Sequence, residues 1–468
     1  MISLILLFPL LACLILFLIK NRALNNFMIT LYAVIHLFCS VCLSMNFNPV
    51  DFTQNLFAAD DLNKIFLVVL SVVYMAVAVY NNGYMKDDSS LTGKFRHYTY
   101  AVLLFVLSMT GAILSTNLGM TWVFIEATTL ASAYLIYFHK TKHSVEAAWK
   151  YVFICSIGIA LAFAGIILLT VSTGSLNSLS YNDLYLNAQS FDRFWLKLSF
   201  IFILFGIGTK MGLAPVHFWL PDAHAQSPSP ISALLSATLL NSAFLMILKV
   251  FNIMIIAGSD NYARIMLFAM GFLSLFVAAV FIYHINNYKR MLAYSSVENM
   301  GILAIGTALG GIGAIAAIIH LIGHSFIKAS FFMTSGNILK IYGTKKIKSV
   351  TGLLERDNRT GWLWILSCLG IAAFPPSVLF ISEFLIIKTM FQNGHYLMSV
   401  IFLLLLTIII YGLTKAVFAM SVKNSKENEK IKLPLTMYVP QLILLITAFV
   451  MGLYLPFHEA IYSSVRGF

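Results

Sequence analysis

The apolar residues of this chain come in long runs. Stretches of roughly 18 to 25 residues with almost no charge recur from one end to the other, and each can cross a hydrocarbon layer of about 30 Å as a helix. In lipid, only helices and closed barrels satisfy every backbone amide. The alternating segments of a membrane barrel, about ten residues each, are missing. The chain therefore reads as an all-α polytopic membrane protein. The runs predict about 14 helices, near 2–19, 26–45, 64–84, 98–116, 119–138, 146–173, 194–218, 229–254, 262–286, 294–311, 313–341, 361–392, 395–422 and 433–456. The first run lacks a basic leader and a small-residue cleavage site, so it reads as a retained helix rather than a signal peptide. Only 10% of the 468 residues are charged. No sizeable soluble domain fits, which puts any redox or nucleotide chemistry on partner chains.

The formal net charge is +12. In a soluble protein that would suggest nucleic acid, but here the positive-inside rule accounts for it. Basic residues fall in alternate connections: Lys20 and Arg22; Lys86, Lys94 and Arg96; Lys140 and Lys142; Lys289 and Arg290; Lys345, Lys346 and Lys348; Lys423, Lys426, Lys430 and Lys432. The connections between them carry Asp51, Asp60 and Asp61, or Asp183 and Asp192. This pattern puts the basic loops in the cytoplasm and both termini outside, which needs an even helix count. The five cysteines lie in apolar runs and read as small buried hydrophobes. No phosphate-binding loop, dinucleotide fingerprint or nucleophile elbow is present. No catalytic residue, metal ligand set or cofactor is assigned.

Ionisable groups inside the runs are the candidates for function, because each costs at least about 2.5–3.5 kcal/mol at the bilayer centre. Glu126 is too deep and too short to snorkel. Lys210 is flanked by Gly206, Gly208 and Gly212, and Pro215 should break its helix just beyond it. A broken helix at membrane depth lines a cavity or is packed in protein, and such breaks mark ion sites in transporters. His217 and His224 follow the break, His224 where it lines an entrance. His320, His324 and Lys328 stand at i, i+4 and i+8, one helical face with about 12 Å of rise. Pro375 and Pro376 interrupt a second helix, with Glu383 two turns on. Lys388 is placed to pair with Glu383 or to snorkel. Lys249 is nearer a helix end, where snorkelling competes with a relay role. Glu146 and Lys150 read as a local pair. Glu298 reads as near a cytoplasmic end. Each half of the chain thus carries one proline-broken helix and its own charges, the pointer to an internal repeat.

The stretch "GTKMGLAPVHFWLPDAHAQSPSPISALLSATLLN" resembles the signature of the antiporter-like subunits of respiratory complex I, multisubunit cation/proton antiporters and membrane-bound hydrogenases. "NLGMTWVFIEATTL", "EAAWKYVFIC", "YSSVENMGI" and "PPSVLFISEF" look most like hydrogenase-4 component F, of the formate-hydrogenlyase type. The resemblance covers roughly residues 90–390. It implies two inverted five-helix repeats, 91–256 and 257–422, between an N-terminal segment 1–90 and a C-terminal helix in 423–468. It implies that Glu126 and Lys210 form a glutamate–lysine pair, that His324 and Lys328 belong to a central hydrophilic axis, and that Glu383 ends it. The chain departs from the pattern in four places: Asn241 where complex I relatives carry lysine, Lys249 where arginine is common, Gly323 where Asn is usual, and Ala373 where glycine precedes the proline pair. With Asn241 in place, water or Lys249 would have to bridge the two halves.

Three functions are compatible with this sequence. The first is a proton-translocating subunit in the cell inner membrane, driven by a partner redox module of nickel–iron hydrogenase-like and iron–sulfur subunits. The second is a cation/proton antiporter subunit, or a proton-coupled partner of inorganic-carbon uptake, without redox activity. The third is a scaffold whose charges only lock partner helices.

Overall fold

The computed structural model describes residues 1–19, 21–47, 56–86, 94–174, 176–423 and 430–454; Lys20, Asp51 and Lys426 of the charge pattern lie outside them. The described regular structure is helical, with only three isolated β-bridges. The N-terminal helices are α1 (Ile2–Leu18), α2 (Arg22–Ser44) and α3 (Asp61–Tyr84). There follow α4 (Lys94–Leu114), α5 (Leu118–Tyr137), α6 (Lys142–Ser172), the short α7 (Tyr181–Asn187), α8 (Arg193–Met211) and α9 (Trp219–Gln226). Next come α10 (Ser229–Leu234), α11 (Leu240–Ile256), α12 (Asp260–Ile282), α13 (Tyr288–Leu309) and α14 (Ile312–Tyr342). The chain closes with α15 (Leu353–Arg356), α16 (Asn358–Ile371), α17 (Val378–Gln392), α18 (Tyr396–Val422) and α19 (Val439–Leu453).

Eleven described helical segments are long and apolar enough to cross a bilayer, with α10 and α11 counted as one. Three further places in the expected order are taken by α1, α13 and the α16–α17 pair, so each predicted run is helical. The boundaries moved in one place that matters. α13 begins at Tyr288, where Asn287 caps it by accepting from the amides of Lys289 and Arg290. Glu298, expected near a helix end, is therefore at mid-helix. Two features had no signal in the run pattern: the surface helix α7, and a π-helical turn at Leu235–Leu239 joining α10 to α11. π-turns inside helices recur at functional sites.

Both predicted breaks are present. α8 ends at Met211, Gly212 takes a left-handed φ of 78°, and the chain resumes as α9 seven residues later. α16 ends at Ile371 and α17 begins at Val378. The three glycines around Lys210 have different jobs. Gly206 lets α8 touch α6: a Cβ there would lie 2.5 Å from the Gly158 carbonyl oxygen. Gly212 supplies the left-handed turn. Gly208 has ordinary room around it, so close packing does not require a glycine there.

The charge pattern also takes physical form. The basic connections meet at one end of the bundle. There Arg22 donates to Met85 O at 2.9 Å, Lys289 to Ser227 O at 3.0 Å and Lys345 to Ala225 O at 2.6 Å. At the opposite end, the segments around Phe57, Ser115–Asn117 and Ser180 are stitched by the bridges Phe57–Ser115 and Asn117–Ser180.

Ala373, in the second break, sits at φ 52°, the left-handed region that glycine favours. A side chain there costs about 1–2 kcal/mol, and glycine gives back about 0.5–1 kcal/mol in unfolded-state entropy. Ala373→Gly should therefore be neutral to mildly stabilising. Ala373→Val, β-branched at positive φ, should lose more than about 1 kcal/mol. Unfolding of the purified protein in mixed micelles titrated with SDS ranks the three. A valine variant as stable as the parent would remove the strain.

Candidate proton path through the bundle

The first group of polar side chains lies where α8 crosses α6 and α5. Lys210 is fully buried. Its Nζ donates to Tyr151 Oη at 2.7 Å and lies 4.7 Å from the centre of that ring. The Tyr151 hydroxyl is in turn 2.6 Å from Ser132 Oγ on α5. One turn along α5, Thr129 Oγ1 donates to Glu126 Oε2 at 3.0 Å. Glu126 and Lys210 are thus in electrostatic reach but do not touch: among the described residues no ion pair joins them. The expected direct pair is replaced by a hydroxyl ladder. Glu126 itself is only half-buried, on an otherwise lipid-like face of α5.

The break after Lys210 folds α9 back over this site. Trp219 Nε1 donates to Thr209 O at 2.7 Å, and its ring packs on Tyr151 at 4.8 Å. His217 is buried in the break beside Tyr294, with Nδ1 unpartnered. His224 is fully buried, stacked on Phe332 of α14 at 4.5 Å, and neither ring nitrogen has a partner. It lies within electrostatic reach of Lys328 and Lys289. α9 is held from outside by Asp222, which meets Lys150 at 3.3 Å and Arg290 at 2.5 Å. The expected Glu146–Lys150 pair forms at 2.6 Å and completes this clamp. Lys289 and Lys345 cap its far end; burial holds the Lys345 ammonium below the usual lysine range.

The second group lies between α13, α14 and α17. Lys328, fully buried, donates to Leu292 O at 2.8 Å and to Ser295 Oγ. Glu298 is buried with Oε2 unpartnered, within electrostatic reach of Lys328 on one side and Glu383 on the other. His320 is held at both nitrogens, with Ser382 Oγ at 2.9 Å on Nδ1 and Asn299 Oδ1 at 3.0 Å on Nε2. His324 is buried with both nitrogens unpartnered. Gly323 beside it makes room for α17: a Cβ would lie 2.3 Å from a Val378 methyl. Glu383 is buried. Lys388 is exposed on another face of α17, and no described contact ties it to Glu383.

Between the two groups, α11 packs on α8 and presents Asn241 to α14. The Asn241 Nδ2 donates to Ser325 Oγ of α14 at 2.7 Å and to Ala237 O at 2.8 Å, leaving Oδ1 unpartnered. Asn241 is therefore itself the bridge to α14. Lys249, a possible bridge on sequence grounds, points elsewhere. It is buried beneath Tyr181, 3.4 Å from Ser115 O and 3.9 Å from Asp60 Oδ2.

Sequence reading missed the neutral members of both groups: Tyr151, Ser132, Ser295, Asn299, Ser325 and Ser382. Charge was the signal it followed. A lone serine in an apolar run is indistinguishable from one bonded to its own helix. Tyr151→Phe should leave the Lys210 ammonium buried with one partner fewer, at about 1–3 kcal/mol. Replacing both groups, as Tyr151→Phe with Lys210→Met, should recover at least half of that loss in SDS-titrated unfolding. Strict additivity of the two single losses would mean that the bond contributes nothing.

Comparison with known proteins gives the family and the fold. Residues 115–410 match the model of the transmembrane family described as NADH:quinone oxidoreductase/Mrp antiporter. The chain is 32% identical over 465 residues to a hydrogenase-4 component F homolog of Methylacidiphilum infernorum (isolate V4), covering 97% of this chain and 96% of that one. It is 25% identical over 376 residues to a Na(+)/H(+) antiporter subunit of Bacillus subtilis (strain 168), covering 80% and 74%. Among solved structures, a chain of an archaeal membrane-bound sulfane sulfur reductase superposes with TM-score 0.90 at 21% identity, covering 100% of this chain and 97% of that one. A chain of the Mrp complex from Dietzia sp. DQ12-45-1b superposes with TM-score 0.85 at 17% identity, covering 99% and 97%.

Proposed function

Since the chain belongs to the NADH:quinone oxidoreductase/Mrp antiporter membrane family and is one of its antiporter-like subunits, we propose that it translocates protons within a redox-driven, hydrogenase-like complex of the cell inner membrane. One observation carries the reading. Lys210 and Lys328 are both fully buried and both held by neutral oxygens, and Asn241, on the helix that packs against α8, bonds Ser325 of α14.

Each lysine is a proton station that its oxygens tether in either protonation state. Glu126 stands on a half-exposed face of α5, where the charge of a neighbouring subunit reaches it. Electron transfer in a partner module, with nickel–iron hydrogenase-like and iron–sulfur subunits, would move that charge. Drawing the carboxylate to within about 4 Å of Lys210 adds about 4 kcal/mol at an effective dielectric of about 20. That is about a thousandfold in a protonation equilibrium. A proton released from Lys210 crosses the seam at Asn241 and Ser325, reaches His324 and Lys328, and continues by Glu298, Asn299 and His320 to Glu383. His217 and His224, buried with free ring nitrogens, feed the path from the basic end, which the positive-inside rule assigns to the cytoplasm. The units 91–256 and 257–422 act as the two halves of this device.

The hydrogenase-4 component F homolog, matched along nearly the whole of both chains, supports redox coupling. The sodium/proton antiporter relative supports a second reading, antiport without redox chemistry, through the same stations. Purifying the native complex separates the two. Nickel and iron–sulfur polypeptides accompany the first, and small antiporter subunits the second.

Lys210→Ala and Lys328→Ala should each leave the complex assembled and cut proton translocation more than tenfold, read as dye-reported pH change in sealed vesicles. Wild-type translocation by either variant would sink the axis.

A further inference from the structure

Lys249 is left over from this axis. It is on α11, about two turns beyond Asn241, near the end of the bundle opposite the basic connections. Three chain segments close that end. Ala58 N donates to Leu114 O, Thr116 N to Leu56 O, Leu118 N to Leu179 O and Tyr181 N to Thr116 O, at 2.8 to 3.1 Å. The result is a small stitched cap, and Lys249 lies directly beneath it. Its ammonium contacts Ser115 O, the Tyr181 ring at 4.6 Å and Asp60 Oδ2. The two oxygens of Asp60 face different partners. Oδ1 caps α3, accepting from Asn63 N at 2.7 Å, while Oδ2 faces Lys249. The lysine side chain is 5% exposed and the aspartate 58% exposed. Tyr181 also reaches inward, donating its hydroxyl at 3.0 Å to Thr121 on α5, the helix that carries Glu126.

We propose that Lys249 and Asp60 form a proton-release site, an outlet for the first half of the molecule separate from the Glu383 end of the axis. The transferred species is the proton. An N–H bond of the Lys249 ammonium breaks as an O–H bond forms on Asp60 Oδ2, and the carboxylic acid then loses that proton to bulk water. The 3.9 Å gap is about 1 Å beyond hydrogen-bond contact, so transfer takes a small rotation of Asp60 or one water between them. Its exposure to solvent is what makes Asp60 a release group rather than a structural counter-charge. A carboxylate in water and 3.9 Å away offsets little of what it costs to bury the ammonium. The outlet rests on the proton-translocating reading above.

The test uses the native complex in sealed vesicles. Asn caps a helix about as well as Asp, so Asp60→Asn keeps the cap and removes only the proton acceptor. Translocation should fall at least fivefold, and Asp60→Glu should retain at least half. Asp60→Cys, labelled after assembly, makes the test independent of folding. A methanethiosulfonate reagent bearing a carboxylate should restore translocation, and one bearing a sulfonate should not, because a sulfonate keeps the charge but does not take up a proton. Equal rescue by both reagents, or wild-type translocation by Asp60→Asn, overturns the proposal. Lys210→Ala measured in the same vesicles separates the two readings. If it is inactive while Asp60→Asn is normal, only the outlet falls. If both are normal, the proton path itself falls.

Discussion

A backbone amide left unpaired in hydrocarbon costs several kcal/mol, and both helix breaks of this chain exist under that constraint. The first is met by neighbours. Ala214 N finds Ser274 Oγ on α12 at 2.9 Å, Leu213 N returns to Gly208 O at 2.9 Å, and the Trp219 indole joins Gly212 N as a second donor to the Thr209 carbonyl. The second is met locally: Phe374 N bonds Leu369 O, and Ser377 Oγ donates to Gly370 O while accepting from Leu379 N. The difference follows from what each break must do. α9 is the half-helix that carries His224 across to α14, so its junction is tied to the bundle around it. α17 follows α16 after the six residues 372–377, and the junction's bonds run within the same stretch of chain.

From those ties the rest of the site follows. Because α9 folds back, Trp219 walls the ring of Tyr151, whose hydroxyl sits between Lys210 and Ser132. Because Gly206 lets α8 lie against α6, that hydroxyl is at bonding distance rather than one side chain away. The Asp222 clamp then fixes the outer face of α9 with exposed pairs, each worth about 0–1 kcal/mol. That is weak enough to let the half-helix shift without unfolding its neighbours.

The fold was legible because a bilayer leaves few alternatives. Length and apolarity alone place the helices, and a proline beside a buried charge places a break. Lys210, Lys328 and His320 could be singled out by type for the same reason, since no other ionisable group is tolerated there without a use. Glu298 was undervalued because helix caps are decided by one residue, here Asn287, and the apolar run hid the first two turns of α13. Tyr151 and Ser325 were invisible for a different cause. A hydroxyl in an apolar run is equally at home on its own helix, as Thr307 is on Leu303 O at 2.8 Å. Only the packing of a second helix reveals which hydroxyl serves a charge. Asn241 read as a defect for that reason. Without Ser325 opposite, an asparagine in the seam is a lost lysine; with it, the residue is a polar contact that carries no fixed charge.

The absence of buried ion pairs among the described residues of the axis has a physical logic. Opposite charges in contact in a low-dielectric interior attract by more than water-exposed ones, and a proton carrier so paired is a trap. Lys210 and Lys328 are instead held by a phenol, a serine and a carbonyl, groups that bind an ammonium and an amine alike. Glu126 and Glu298 stand off at electrostatic range. In the proposed mechanism the carboxylates bias each lysine without capturing it, and a small displacement of Glu126 or of the half-helix α9 would change which station holds the proton.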